Sequence, residues 1–288
     1  MRGIITKGVG GLYTVDSDGV LYECSVRGKF RQKKHLSPLV GDYVEFETVD
    51  EEISAVNEIL PRKNMLIRPN VANIDNLIIT FAVKSPKPDL LLVDKLSAVA
   101  ISKNIGVIIA ITKSDLEDAS CYEDIYKKAG FPVVVTGEGK KDGVEILKEL
   151  TKDKVTAFAG ASGVGKSTLL NSFGEEFGLK TGNISEKIER GKHTTRHAEL
   201  LPLSYGGYVL DTPGFSSFEV TDIAIGESFP EIREHSGCCR FSDCTHRNEP
   251  SCGVKEALNS GYIAPSRYES YLKMYEEQKE YEKYNPKG

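Results

Sequence analysis

Long apolar runs are missing from this sequence. No stretch approaches the ~20 consecutive apolar residues that a helix needs to cross a bilayer. The opening residues, Met1-Arg2-Gly3-Ile4-Ile5-Thr6-Lys7-Gly8, lack the apolar middle and the cleavage site of a signal peptide. The expected location is therefore cytoplasmic, with no membrane partner. An excess of positive charge is also missing. The formal net charge is -5, so the chain as a whole does not advertise nucleic-acid binding. Glycine and charged residues are ordinary in amount, which excludes collagenous, fibrous and wholly disordered classes. There is no internal repeat and no low-complexity tract.

What is present is enough for a real core. The chain has 288 residues, of which 40% are hydrophobic, and this length suggests two or three domains. One local run departs from the overall charge. Arg27-Gly28-Lys29-Phe30-Arg31-Gln32-Lys33-Lys34-His35 holds five Lys and Arg residues and no acid, and it serves equally as a solvated hairpin face or an RNA contact. Of six cysteines, Cys24 and Cys121 stand alone. Cys238, Cys239, Cys244 and Cys252 cluster with His246, and in a cytosolic chain such clustering points to a metal before a disulfide.

Residues 1–66 read as all-β. Leu12-Tyr13-Thr14-Val15, Leu21-Tyr22-Glu23-Cys24-Ser25-Val26 and Tyr43-Val44-Glu45-Phe46 are separated by Gly and Asp turns, and Asp18-Gly19 is a hairpin signal. Five short strands in this length fit an OB-fold β-barrel, an architecture that commonly holds oligonucleotides. Residues 67–222 alternate strands and helices. Leu77–Val83 is a buried strand, Pro88-Asp89 opens a helix, and Gly106–Ile111, Pro132–Val135 and Val155–Ala159 are further strands. Continuous apolar strands divided by helices imply a mostly parallel sheet, an α/β class. Residues 223–288 form short helices around the Cys/His cluster and end in a charged helix from Ser266 to about Tyr284. Its Tyr268, Tyr271, Leu272 and Tyr275 fall at helical spacing, which reads as a packing stripe.

The chemistry centres on Gly160-Ala161-Ser162-Gly163-Val164-Gly165-Lys166-Ser167, which fits G-x-x-x-x-G-K-S without a mismatch. It follows a predicted strand and precedes a good helix start, Thr168-Leu169-Leu170-Asn171, which is the context a phosphate-binding loop demands. Gly163 and Gly165 allow backbone angles closed to other residues. Successive amides then converge on phosphate oxygens at a helix N-terminus whose dipole favours anions. Lys166 is expected to reach the β and γ phosphates, and Ser167 to offer its hydroxyl to Mg²⁺.

Further motifs favour guanine. Asp211-Thr212-Pro213-Gly214 follows the strand Tyr208-Val209-Leu210. Asp211 there can hold magnesium through water, and Gly214 can offer its amide to the γ phosphate of GTP, making the segment a sensor of hydrolysis. Thr194-Thr195 lies between the phosphate loop and that aspartate, as a magnesium-binding switch threonine should; Thr195 is favoured and Thr194 is the alternative. Thr112-Lys113-Ser114-Asp115 resembles the guanine-recognition motif N-K-x-D. Asp115 can accept both the ring N–H and the exocyclic amine of guanine, a pair adenine does not offer, and Lys113 can lie along the base. Thr112 replaces the usual asparagine, which removes an amide from the base site. Thr136-Gly137 follows the next strand and can contact the base edge.

The order of these motifs is unusual. Ordinary small GTPases place the phosphate loop first and the guanine motif late, whereas here residues 112–115 precede residues 160–167 and the switch motifs come last. This is the order of a circularly permuted GTPase. The whole chain resembles the ribosome small-subunit-dependent GTPase family known as RsgA, YjeQ or YloQ. The resemblance is carried by Val40-Gly41-Asp42, Arg68-Pro69, Asn73-Ile74-Asp75, the permuted motifs and the terminal cysteine knot. It implies a GTP hydrolase, monomeric, that binds the 30S subunit and its 16S rRNA late in small-subunit maturation, with low turnover alone and higher turnover on the subunit. Because residues 211–214 lead almost directly into the C-terminal domain, a change at the γ phosphate is expected to move that domain.

The resemblance also assigns roles. Phe215 stands where Ras-like enzymes carry a water-orienting glutamine. Family members carry histidine at the place of His193, in Gly191-Lys192-His193-Thr194-Thr195, so His193 is expected to orient the attacking water while Lys166 and Mg²⁺ neutralise developing charge. Register with the family selects Cys239 over Cys238, giving Cys239-x4-Cys244-x-His246-x5-Cys252. Three thiolates and one imidazole suit a closed, tetrahedral, structural zinc site. Two other classes compete with this reading. One is an RNA-binding adaptor with a vestigial nucleotide site, against which the intact lysine and magnesium-side motifs speak. The other is a P-loop kinase or ATPase, against which Asp115 speaks.

Overall fold

A computed structural model describes residues 1–26, 37–48, 54–67, 69–139, 142–174, 198–215 and 223–285, with the chain path alone at 174 and 211–215. The basic run at 27–35 and the segment holding His193, Thr194 and Thr195 fall outside the described residues. The chain divides into two units. One comprises Met1–Asn76, Lys148–Ala157 and Ser167–Phe215; the other comprises Leu77–Leu147, Phe158–Lys166 and Ser216–Gly288.

In the first unit, β1 (Arg2–Val9), β2 (Leu12–Ser17), β3 (Val20–Val26), β4 (Tyr43–Thr48) and β5 (Ser54–Ile59) close on themselves. The pairings run β1–β2, β2–β3, β3–β5, β5–β4 and β4–β1, and only β3–β5 is parallel. This is the five-stranded barrel the sequence foretells. The expected turn at Asp18-Gly19 has φ 54° and 83°, the paired left-handed conformation that a two-residue hairpin favours. Alternate residues such as Ile5, Val15, Val44 and Val56 fill the interior, and the Tyr22 and Phe46 rings meet at 5.1 Å, tilted by 54°.

The barrel is joined to a hairpin of β6 (Met65–Ile67) and β7 (Asn70–Ala72) by a polar network. Asp42, fully buried, accepts from Arg62 Nε and Nη2 at 2.7 Å each and from the Leu39 amide at 2.7 Å. Asn73 donates to the Gly41 carbonyl at 2.9 Å, and Asn64 exchanges two bonds with Ile74. These are the residues of the Val-Gly-Asp and Asn-Ile-Asp motifs. Their work is to satisfy buried backbone, since a buried polar group left unpaired is costly.

Beside the barrel lie β11 (Lys154–Ala159), β12 (Glu199–Pro202) and β13 (Gly207–Phe215), in the order β11-β13-β12-β1. β12 and β13 form an antiparallel hairpin, with Glu199 opposite Asp211 in register. The mostly parallel pattern read from the sequence thus gains an antiparallel pair. β13 also continues through Asp211–Gly214, where the sequence reading ends its strand at Leu210.

In the second unit, β8 (Asn76–Ala82), β9 (Gly106–Thr112) and β10 (Val133–Val135) stand in the order β10-β9-β8, with β9 and β10 parallel. Helix α1 (Leu90–Ser102) begins where Pro88-Asp89 predicts, and Asp89 Oδ1 caps it by accepting from the Leu92 amide at 3.0 Å. Helix α2 (Ser120–Lys128) and the start of α3 (Asp142–Thr151) follow in this unit, whereas the end of α3 and all of α4 (Lys166–Gly174) after Lys166 belong to the first. The C-terminal part holds a 3₁₀ turn (Gly226–Ser228), α5 (Pro230–Ser236), α6 (Gly253–Asn259) and α7 (Pro265–Tyr284). Phe229, Ile232, Val254, Ile263 and Met274 pack there with Ala98 and Val99 of α1. Tyr268, Tyr271, Leu272 and Tyr275 join this cluster, so the stripe on α7 is packing.

An ion triad locks this core. Arg267 on α7 is 0% exposed. Its Nε donates to Glu231 Oε1 at 2.7 Å and its Nη1 to Asp94 Oδ1 at 2.7 Å. The Phe229 ring lies 4.5 Å below the guanidinium. Burial pushes the Asp94 carboxyl up, and the Arg267 guanidinium opposes that shift. Removing one partner of a buried pair leaves a charge in low dielectric. Arg267→Ala is therefore expected to cost about 3–5 kcal/mol. In the variant, Asp94 would keep the upward push of burial without the guanidinium that opposes it. The deficit is then smallest in acid and grows as pH rises through the raised Asp94 value. Thermal melts of both proteins across pH check this; a pH-independent difference would contradict it.

Candidate functional site

The phosphate loop leaves β11 at Gly160 and runs into α4 at Lys166. Gly160 has φ 138°, and a Cβ there would lie 2.0 Å from the Thr80 carbonyl oxygen, so the loop can start only from glycine. Gly163 and Gly165 have φ 76° and 98°, as their role in a left-handed cradle requires. Ala161, Ser162 and Val164 fill the intervening positions. Val164 is buried, while Ser162 and Gly163 face solvent. Lys166 Nζ folds back over the loop, donating to the Gly160 and Ala161 carbonyls at 2.8 and 2.6 Å. Burial lowers its pKa. Among the described residues its ammonium thus has carbonyl partners at the loop, which it can exchange for phosphate oxygens. Ser167 and Thr168 stand exposed in the first turn of α4.

The base-recognition segment meets this loop directly. β9 ends at Thr112, and Lys113 turns the chain with φ 56°. Lys113 Nζ donates to the Gly163 carbonyl at 2.9 Å and also to the Ser85 carbonyl. Thr112, buried, places Oγ1 2.5 Å from the Val164 carbonyl oxygen and 3.2 Å from that of Phe81. Asp115 is exposed, and the Glu138 amide donates to its Oδ1 at 2.9 Å. A Cβ on Gly137 would lie 2.8 Å from Asp115 Oδ1 and 2.7 Å from Ser114 Oγ, so the segment after β10 closes on the aspartate without room for a side chain. Thr112 and Lys113 are thus bonded to the loop, and Asp115, two residues on, is held by the segment after β10. Asp211 and Gly214 lie on β13, described by chain path alone, and His193 and Thr195 fall outside the described residues.

The second site is the cysteine knot. The ligand atoms of Cys239, Cys244, His246 and Cys252 all lie within 4.8 Å of one another. Cys239 Sγ is 3.8 Å from Cys252 Sγ, and each is 3.4 Å from His246 Nδ1. A tetrahedral zinc with sulfur at ~2.3 Å requires S···S edges of ~3.8 Å, so the donor set fits the metal. Cys238 is exposed and outside the set. Burial pushes the Cys244 thiol up to about 12, so a metal must itself bring about the thiolate it binds.

Sequence reasoning missed what holds this loop. The Glu249 carboxylate accepts from the Thr245 hydroxyl at 2.6 Å and from the amides of Thr245, Arg247 and Asn248 at 2.7, 2.8 and 3.0 Å. These bonds, led by the Thr245 hydroxyl, hold Glu249 down to about 2. Tyr268 and Tyr271 hydroxyls donate to the His246 and Thr245 carbonyls at 2.5 and 2.9 Å. An acid three residues past a ligand, within a short cysteine loop, is the signal that could have found the first of them.

Comparisons with known proteins agree with this geometry. Residues 2–56 match the RsgA N-terminal domain family and residues 59–221 the RsgA GTPase family. A protein of Ruminiclostridium cellulolyticum named small ribosomal subunit biogenesis GTPase RsgA is 46% identical, over 99% of this chain and 96% of its own length. One of the same name from Alkaliphilus metalliredigens is 45% identical over 98% and 99%. The crystal structure of YloQ, described as a circularly permuted GTPase, superposes with a TM-score of 0.81 at 34% identity, covering 97% of this chain and 95% of that one. YjeQ from Thermotoga maritima gives 0.81 at 38%, covering 96% and 98%.

Proposed function

The chain belongs to the RsgA family of circularly permuted GTPases and is a GTP hydrolase, and on that premise we propose that it hydrolyses GTP on the 30S ribosomal subunit, late in the maturation of that subunit. The observation that carries the reading is the junction of the two recognition segments. Lys113 bonds the phosphate loop at Gly163, and the Glu138 amide holds Asp115 at the adjoining face. A ligand held by both segments would carry phosphates at the loop and, at Asp115, the paired ring N–H and amine that guanine offers and adenine does not. The relatives' shared name, small ribosomal subunit biogenesis GTPase, supports the partner.

The roles follow from chemistry. The amides of Gly160–Lys166, with Ser167 and Thr168, cradle the phosphates. Lys166 neutralises charge on the transferring phosphoryl group, which is where electrostatic help matters most. Mg²⁺ would be held by Ser167, Thr195 and Asp211 and would supply further positive charge there; the exposed Ser167 hydroxyl in the first turn of α4 suits that place. Gly214 senses the γ phosphate. His193 orients water. The division into 1–66, 67–222 and 223–288 assigns 16S rRNA contact to the barrel, hydrolysis to the middle part and a structural zinc to the last. The protein acts as a cytoplasmic monomer. Among the described residues no helix is long and apolar enough to cross a membrane.

Turnover of GTP with and without purified 30S subunits, and with ATP as competitor, tests base choice, competence and partner together. Stimulation by the subunit and indifference to ATP are expected; turnover that ignores the subunit would remove the partner. In the same assay His193→Ala should lower stimulated turnover by about 10²-fold, the low end for a group assisting proton transfer or water alignment, while sparing GTP binding. Undiminished stimulated turnover would reject that role.

A further inference from the structure

Two consecutive carbonyls of the phosphate loop, Gly163 and Val164, accept from two consecutive side chains of the base segment, Lys113 and Thr112. A trans peptide points its C=O and the next N–H in opposite directions. Fixing the Val164 carbonyl toward Thr112 therefore aims the Gly165 amide the other way, and fixing the Gly163 carbonyl does the same for the Val164 amide. These amides lie within the phosphate cradle. We propose that Thr112 is a positioning residue that presets the phosphate-binding amides through Val164, and that it takes no part in reading the base.

The chemistry of the side chain supports this. A threonine hydroxyl has one proton. At 2.5 Å from the Val164 oxygen that proton is committed there, and the 3.2 Å contact to Phe81 is a weaker competitor. No donor remains for a purine ring nitrogen. The residue is 5% exposed, and its Cβ, Cγ2 and Oγ1 lie 3.6–3.7 Å from the place where a Cβ of Gly165 would be, so it is packed directly under the loop it orients. The replacement of the usual asparagine then removes a base contact while keeping the tie between the two recognition segments. Discrimination against adenine is left to Asp115.

This rests on the GTP reading above, and the test separates the two. Thr112→Val keeps the shape but puts a methyl where a carbonyl oxygen stands 2.5 Å away, closer than the ~3.3 Å of a carbon–oxygen contact, so the loop must shift. Binding of fluorescent GDP and GTP analogues should weaken about tenfold for both, the loss of one net hydrogen bond. The ratio of guanine to adenine nucleotide affinity should stay at its wild-type value, and Thr112→Ser should restore binding. Wild-type affinity in Thr112→Val would overturn the proposal, as would a loss of guanine preference or a failure of serine to rescue. Absence of binding by the wild-type protein would instead defeat the GTP reading itself.

Discussion

Alanine at position 166 is expected to abolish turnover of GTP while leaving the fold intact. Lys166 is the single cation within the phosphate loop, and among the described residues its ammonium bonds the Gly160 and Ala161 carbonyls. Gly160 is buried and Ala161 half-buried, so the variant leaves a buried carbonyl to find another donor, at a cost of about 1–3 kcal/mol. The catalytic loss is of another order. A preorganised donor aimed at developing charge is worth about 10²–10³-fold in rate, and a full positive charge at the β and γ oxygens exceeds a neutral donor. Single-turnover hydrolysis with excess protein should fall by at least about 10³-fold, with a modest fall in melting temperature and unfolding still cooperative. A drop in turnover of less than about tenfold, or loss of cooperative unfolding, would place the lysine in a structural role.

How far such expectations could be read from sequence depends on where the physical information lies. The phosphate loop was legible because its requirement is local: glycines at fixed offsets, a strand before, a helix after. The barrel was legible for the same reason, since its alternation and the Asp18-Gly19 turn are short-range signals. The hairpin of β12 and β13 was not read, although Gly206-Gly207 between two apolar runs carries a turn signal of the same kind. The triad of Asp94, Glu231 and Arg267 was invisible because its members lie far apart in the chain and each has a surface explanation. Only Asp94, the lone acid in the mostly apolar Leu90–Ser102 helix, hinted at burial. Thr112 was read as a loss, because its gain is a bond to residue 164 that no spacing foretells.

The cysteine knot shows the same limit and carries the second large prediction. Spacing alone left Cys238 and Cys239 open, and it is the three-dimensional meeting of Sγ atoms with His246 Nδ1 that leaves Cys238 outside. Cys244→Ala is expected to lose the zinc and loosen the C-terminal part, and Cys238→Ala to retain both. Structural zinc contributes about 10–16 kcal/mol in small domains that depend on it, so losing one of four ligands outweighs any hydrogen bond in the loop. The damage should be confined. Glu249 and the two tyrosine hydroxyls grip residues 245–248, and the Arg267 triad with the Phe229, Ile232 and Val254 packing holds α5, α6 and α7 to α1. Residues 239–244 are tied more lightly, by the amides of Cys239, Arg240 and Cys244 to the carbonyls of Ser236, Ser251 and Phe241. Hydrogen exchange in Cys244→Ala should therefore accelerate first at 239–244, with the core of α7 still protected. Metal analysis of the purified proteins decides the assignment: about one zinc per chain in wild type and in Cys238→Ala, and little in Cys244→Ala. Full zinc in the last, or its loss from Cys238→Ala, would mean that another set of ligands holds the ion.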